Sequence, residues 1–296
     1  MGKAPNSRQQ RIDVVDATLH CEVHGDGPLV ICAHGFPDTL RTFRAQLGPL
    51  VAAGYRVALL AMRGYAPSSA SSDARYDAIT LGCDLLAVAR ELAPGQQVAL
   101  IGHDWGAVAA YAAAAVRPEQ LACVVTAAVP HLRVAGPRFA HPRQLRRSWY
   151  MALFQLPWVG ERALLHDDMA LIDRLWRDWS PDYRCPPEEL RAIKDAMRPN
   201  SSAVIGYYRA VFSRRALRRE TQQVMRTRTT VPALYLHGKN DGCVGAELAV
   251  GLAPAYRAGV EVVVLDDCGH FLHLERPDVV NDKLLAFLAT HLPADG

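Results

Sequence analysis

Short apolar runs recur along this chain at intervals that leave room for a helix between them. Leu29 to Ala33, Arg56 to Leu60, Val98 to Ile101, Leu121 to Val129, Ala233 to His237 and Val262 to Leu265 are continuous rather than alternating. Runs of that kind suit parallel strands covered on both faces by helices. Weak alternation over Ile12 to Val15 and Leu19 to Val23 fits a hairpin at a sheet edge. Helical patterns over 42–53, 76–92, 105–116, 245–255 and 278–291 fill the gaps. The expected fold is therefore α/β, a mostly parallel eight-stranded sheet flanked by helices.

Between Pro130 and Val231 the strand rhythm stops. About 100 residues rich in Arg, Trp, Tyr and Leu read as helices broken at Pro157, Pro181, Pro186 and Pro187, after which Val231 to His237 resumes the rhythm. That pattern predicts one core built from residues 1–130 and 231–296, with a helical lid inserted over 131–230. Charge follows the same division: the segment 131–230 holds 19 Lys and Arg against 10 Asp and Glu, within a chain of net charge +3. Its cations are nearly all arginines interspersed with acids, which describes a solvated helical surface rather than a nucleic-acid site.

Half of the 296 residues are hydrophobic and 21% are charged, as in ordinary globular proteins. Apolar stretches fall short of the roughly 18 residues needed to span a membrane. Met1 to Asn6 opens no apolar signal segment, and Asn6 departs from the myristoylation pattern. Seven cysteines, odd in number and without Cys-x-x-Cys spacing, fit a reducing cytoplasm better than a disulfide frame or a metal site. Oligomeric state is not encoded legibly, and a homodimer stays open.

Chemistry enters at Gly102-His103-Asp104-Trp105-Gly106, which joins the run Val98 to Ile101 to a small-residue helix. A strand turning sharply into a helix between glycines is a nucleophile elbow, and Asp104 stands where serine is usual. A carboxylate needs no base to deprotonate it, so it can displace a leaving group at an sp³ carbon and form an ester. Hydrolysing that ester calls for a base near the same sheet edge, and His270 follows the last run. Asp241, in Asn240-Asp241-Gly242, is placed to orient it; Asp266 and Asp267 lie too close in sequence. Backbone N–H groups of Trp105 and of Phe36, in His34-Gly35-Phe36-Pro37, are the expected oxyanion donors.

Together, His34-Gly35-Phe36-Pro37-Asp38, the Asp104 elbow, Asp241 and Cys268-Gly269-His270 resemble the epoxide hydrolases of the α/β-hydrolase fold over essentially the whole chain. The resemblance implies two lid tyrosines that grip the epoxide oxygen. Trp149 to Pro157 maps the first role to Tyr150, and Ile205-Gly206-Tyr207-Tyr208-Arg209 maps the second to Tyr208, with Tyr207 as its confusable neighbour. Val129 stands where relatives often carry a polar residue before the proline. The implied enzyme is free of cofactor and metal, acts on a small apolar epoxide and serves detoxification, with Pro37, Trp149 and Phe154 lining the substrate pocket. A haloalkane dehalogenase shares the Asp-His-Asp machinery and is the alternative. That family usually places an asparagine after the His-Gly pair, where this chain has Phe36, and a fluoroacetate-type enzyme would put arginine at the position of Trp105.

Overall fold

The computed structural model describes residues 7–294. Its strands are β1 (Ser7–Val14), β2 (Ala17–His24), β3 (Leu29–Ala33), β4 (Arg56–Ala61), β5 (Val98–His103), β6 (Leu121–Ala127), β7 (Ala233–Gly238) and β8 (Val260–Leu265). They form one sheet in the order β1-β2-β4-β3-β5-β6-β7-β8. β2 pairs antiparallel with β1 and β4, and every other neighbouring pair is parallel. The continuous apolar runs are central strands with both faces covered: on β5, Val98 and Leu100 enter one apolar cluster while Ala99 and Ile101 enter the other. Because β3, β5, β7 and β8 run parallel, the loops that follow them open on one edge of the sheet.

The helix Trp105–Val116 is almost entirely apolar and buried on all sides. Its alanines allow it to lie between the sheet and the helix Ala78–Leu92, where a Cβ on Gly82 would come within 2.7 Å of the Ala113 nitrogen. Close packing of this kind fixes the height of the Trp105 end above β5.

Three expectations need correction. β6 ends at Ala127 instead of Val129, because Ala128 turns to φ 67° and leaves the ladder. The patterned stretch 245–255 is no helix: it forms two short 3₁₀ turns, Ala246–Ala249 and Ala253–Ala255, separated by Gly251 at φ 67°, with Pro254 inside the second. The first hairpin is longer than its alternation suggests, and Val15 lies in its turn, exposed.

Between β6 and β7 the described residues add no strand to the sheet: helices and turns run from Leu132–Ala135 to Arg219–Arg226, followed by one isolated bridge from Thr229 to Tyr256. Three carry the side chains that matter below: Trp149–Gln155, the kinked Val159–Trp179, and Ser201–Val211. Arg209 joins them by pairing with Glu161 and donating to the Phe154 carbonyl at 2.9 Å.

Candidate active site

β5 delivers Asp104 at φ 54°, ψ −114°, a region that non-glycine residues rarely adopt, at a cost of about 1–3 kcal/mol. Surrounding structure dictates the turn. The Asp104 N–H donates to the Ala127 carbonyl at 3.2 Å, and the Asp104 carbonyl accepts from Ala107 and Val108 at 3.0 and 3.2 Å. The flanking glycines are steric necessities: a Cβ on Gly106 would sit 1.9 Å from the Ala33 carbonyl oxygen, and one on Gly102 would sit 2.3 Å from that of Gly106.

The turn after β3 meets this elbow. A side chain on Gly35 would strike Asp104 Oδ1 at 2.1 Å, and its absence lets the Phe36 N–H donate to that oxygen at 2.8 Å. His34 braces the turn. Its Nε2 must accept, since the Met62 N–H approaches it at 3.0 Å, so Nδ1–H donates to the Gly35 carbonyl at 2.9 Å. Burial lowers the His34 pKa to about 4, which keeps that ring neutral.

His270 and Asp241 arrive from the loops after β8 and β7. Nδ1 of His270 lies 2.9 Å from Asp241 Oδ2, while Oδ1 of Asp241 accepts from the N–H groups of Cys243 and Val244 at 2.7 and 2.9 Å. Nε2 of His270 is buried without a hydrogen-bond partner, 3.8 Å from Asp104 Oδ2. Burial alone would lower the His270 pKa, but the Asp241 carboxylate, helped by that of Asp104, holds it above the ordinary imidazole value. For Asp104, burial pushes the carboxyl up to about 6 against the pull of His270 and the amides of Phe36 and Trp105, so it remains ionised at neutral pH.

Tyr150 and Tyr208 reach from the helical segment into the cavity that Asp104 also lines. Their rings are 5.4 Å apart, and that of Tyr208 packs edge-on to Trp105 and Phe36 at 5.4 and 5.3 Å. Burial and then neighbouring groups, Asp104 among them, raise both phenols well above the ordinary tyrosine value, so both carry their protons. The Tyr150 hydroxyl has only the Cys243 sulfur beside it, at 3.4 Å, and the Tyr208 hydroxyl has no partner. Tyr207 differs: its hydroxyl donates to the Arg63 carbonyl at 2.8 Å. Asp104, Trp105, Trp149, Tyr150 and Tyr208 line a largely apolar cavity of about 1040 Å³. Pro37 and Phe154 stand one layer back from its wall. The Pro37 carbonyl accepts from the Trp176 indole at 2.8 Å, and Phe154 packs behind Phe36 and Tyr208.

The sequence matches the family described as the alpha/beta hydrolase fold over residues 28–277. The chain belongs to the α/β-hydrolase fold family. Among its relatives, the AB hydrolase superfamily protein YfhM of Bacillus subtilis is 29% identical over 287 residues, covering 94% of this chain and 97% of the relative. A protein named epoxide hydrolase from Caballeronia sordidicola is 30% identical, covering 92% and 91%. The crystal structure of epoxide hydrolase A from Mycobacterium thermoresistibile superposes with a TM-score of 0.78 at 26% identity, covering 96% of this chain and 98% of the other.

In this α/β-hydrolase chain several neighbours of the site escaped the sequence reading. The Trp179 carbonyl, at the end of the kinked helix, accepts N–H groups from both Gly242 and His270, at 3.1 and 3.0 Å. Glu275 accepts the Gly269 N–H and the Ser180 hydroxyl, and Ser180 Oγ accepts the Phe271 N–H. Cys243 was visible as a thiol two residues after Asp241, but its proximity to Tyr150 depends on tertiary packing. Asp104, Cys243 and His270 are the only His, Cys, Asp or Glu group of three or more among the described residues whose ligand atoms gather closely enough to hold a metal, all within 4.8 Å.

Proposed function

We propose that this protein is an epoxide hydrolase that converts a small apolar epoxide to a vicinal diol through an ester on Asp104. The observation that carries the reading is the pair of protonated, buried phenols of Tyr150 and Tyr208 lining the same cavity as the Asp104 carboxylate, with the Tyr208 hydroxyl unpartnered. An epoxide oxygen would supply the missing acceptor. Relatives named epoxide hydrolase support the same conclusion.

Asp104 Oδ1 is occupied by the Phe36 N–H, which leaves Oδ2 as the nucleophile. Its lone pair forms a bond to a ring carbon as the ring C–O bond breaks, and the released electron pair on oxygen takes the proton of Tyr150 or Tyr208. An alkoxide is a far stronger base than a phenolate, so this transfer runs downhill. His270 then takes a proton from water through Nε2, and hydroxide adds to the Asp104 carboxyl carbon. The resulting oxyanion faces the amides of Phe36 and Trp105. Collapse breaks the ester, the departing alkoxide takes the imidazolium proton, and the carboxylic acid left on Asp104 returns its proton to the phenolate. Asp241 keeps the Nδ1–H tautomer and offsets the positive charge on the ring. The helical segment 131–230 acts as the lid that keeps bulk water from the cavity, in a cytoplasmic enzyme of detoxification.

Styrene oxide is the test substrate. A single turnover in ¹⁸O-water should place the label in the Asp104 carboxylate, read by mass spectrometry of the peptide, and leave the first diol unlabelled. His270→Gln should still open the epoxide and should accumulate the ester. Label appearing directly in the first diol, or release of halide from a bromoalkane without any diol from the epoxide, would overturn the reading. The dehalogenase alternative lacks the halide-cradling asparagine, since Phe36 occupies that position.

A further inference from the structure

We propose that Asp104, Cys243 and His270 form an inhibitory binding site for a borderline-soft divalent cation, with Zn²⁺ as the natural probe. Three loops bring these residues together at the C-terminal edge of the sheet, and their ligand atoms lie within 4.8 Å of one another. The site is independent of which substrate the enzyme opens.

The donor set fits this class of ion. Nδ1 of His270 is committed to the Asp241 carboxylate, so the lone pair of the neutral ring is on Nε2, buried and unpartnered. A carboxylate behind an imidazole is the arrangement that orients metal-binding histidines elsewhere. The Asp104 Oδ2 to Nε2 distance of 3.8 Å is too long for a hydrogen bond. It is close to the roughly 3.3–3.7 Å that two ligands keep across a tetrahedral zinc with bonds of about 2.0–2.3 Å. The longest edge would have to contract by about 1 Å, within reach of a rotation of the short Cys243 side chain, whose sulfur touches only the Tyr150 hydroxyl among hydrogen-bonding partners. Thiolate, imidazole and carboxylate together suit zinc, cadmium or cobalt, whereas magnesium and calcium prefer oxygen ligands. The fourth position would open on the cavity beneath the two phenols. Binding displaces the thiol proton to solvent and occupies the free carboxylate oxygen and the only free imidazole nitrogen of the triad, so turnover stops while the ion stays.

Cobalt binding to the full-length protein is read without any substrate, as the charge-transfer absorption that a thiolate gives when bound to Co²⁺. The native protein should show one such site, displaced by Zn²⁺ and abolished by ethylenediaminetetraacetate. Cys243→Ser and His270→Gln should each lose it. Turnover of the native protein and of Cys243→Ser is titrated with Zn²⁺ in parallel, each scored against its own zinc-free rate. Cys243→Ser should raise the half-inhibitory concentration at least about tenfold, as expected when a soft ligand becomes a hard one. A thiolate band that survives Cys243→Ser, or a native protein with no band at all, would overturn the proposal. An unchanged zinc titration in folded Cys243→Ser would overturn it equally.

Discussion

Tyr207 and Tyr208 bear the same phenol on the same helix, one residue and therefore about 100° apart. One hydroxyl is spent on the Arg63 carbonyl; the other, in the cavity that Asp104 lines, has no partner. Tyr208→Phe should slow epoxide opening on the order of 10²-fold, the lower range for loss of a proton donor, while leaving the melting temperature nearly unchanged. Tyr207→Phe should do the reverse, costing about 1 kcal/mol of stability with turnover within a few-fold. Burst kinetics and thermal melts of both variants check the pair, and swapped phenotypes would exchange their roles. The sequence favoured Tyr208 only through its place before Arg209, because helical phase relative to a distant carboxylate depends on how the whole segment docks. That Asp104, His270 and Asp241 would gather could be read from the sequence, because each follows an apolar run within a few residues and parallel strands bring their ends to one edge.

At the level of elements, the apolar runs located the strands because a strand buried on both faces tolerates few polar residues. The stretch 245–255 misled for a related reason. Leu248, Ala249, Leu252 and Ala255 have helical spacing and are buried, yet two short turns bury them equally well once Gly251 bends the chain backwards. The elbow is the most demanding joint. Gly106→Ala would drive a methyl into the Ala33 carbonyl, and backbone cannot retreat as a flexible side chain can. Its soluble yield and melting temperature should collapse, with a loss of several kcal/mol, at the severe end of single substitutions. Gly48→Ala is the matched control: it lies inside the helix Arg44–Ala52 with nothing beyond its chain neighbours and the helix backbone within 4 Å of the added methyl, and because the Pro49 ring crowds a preceding Cβ the change should stay within about 1 kcal/mol of the native stability. Equal melts for the two variants would refute the steric account of the elbow.

Across the whole molecule, the core is joined to its helical segment through buried polar groups that no periodicity reveals. Arg63, after β4, holds Asp84 through Nε and Nη2, both at 2.6 Å, and Asp16 through Nη1 at 2.8 Å. These side chains are almost wholly excluded from water, and the Arg63 carbonyl receives Tyr207. Arg63→Met would strand two carboxylates and should cost about 3–5 kcal/mol, seen as a fall in the urea midpoint; an unchanged midpoint would show that the cluster contributes nothing. The charge asymmetry of 131–230 marked the segment in the sequence, but the single Trp179 oxygen within it that receives the N–H groups of both Gly242 and His270 could not be read there. That shared oxygen bears on engineering. Grafting a foreign segment with a junction inside 179–181 would unfasten the Asp241 loop and the His270 loop together, so selectivity is better recast by exchanging residues upstream of Trp179 and leaving this fastening native.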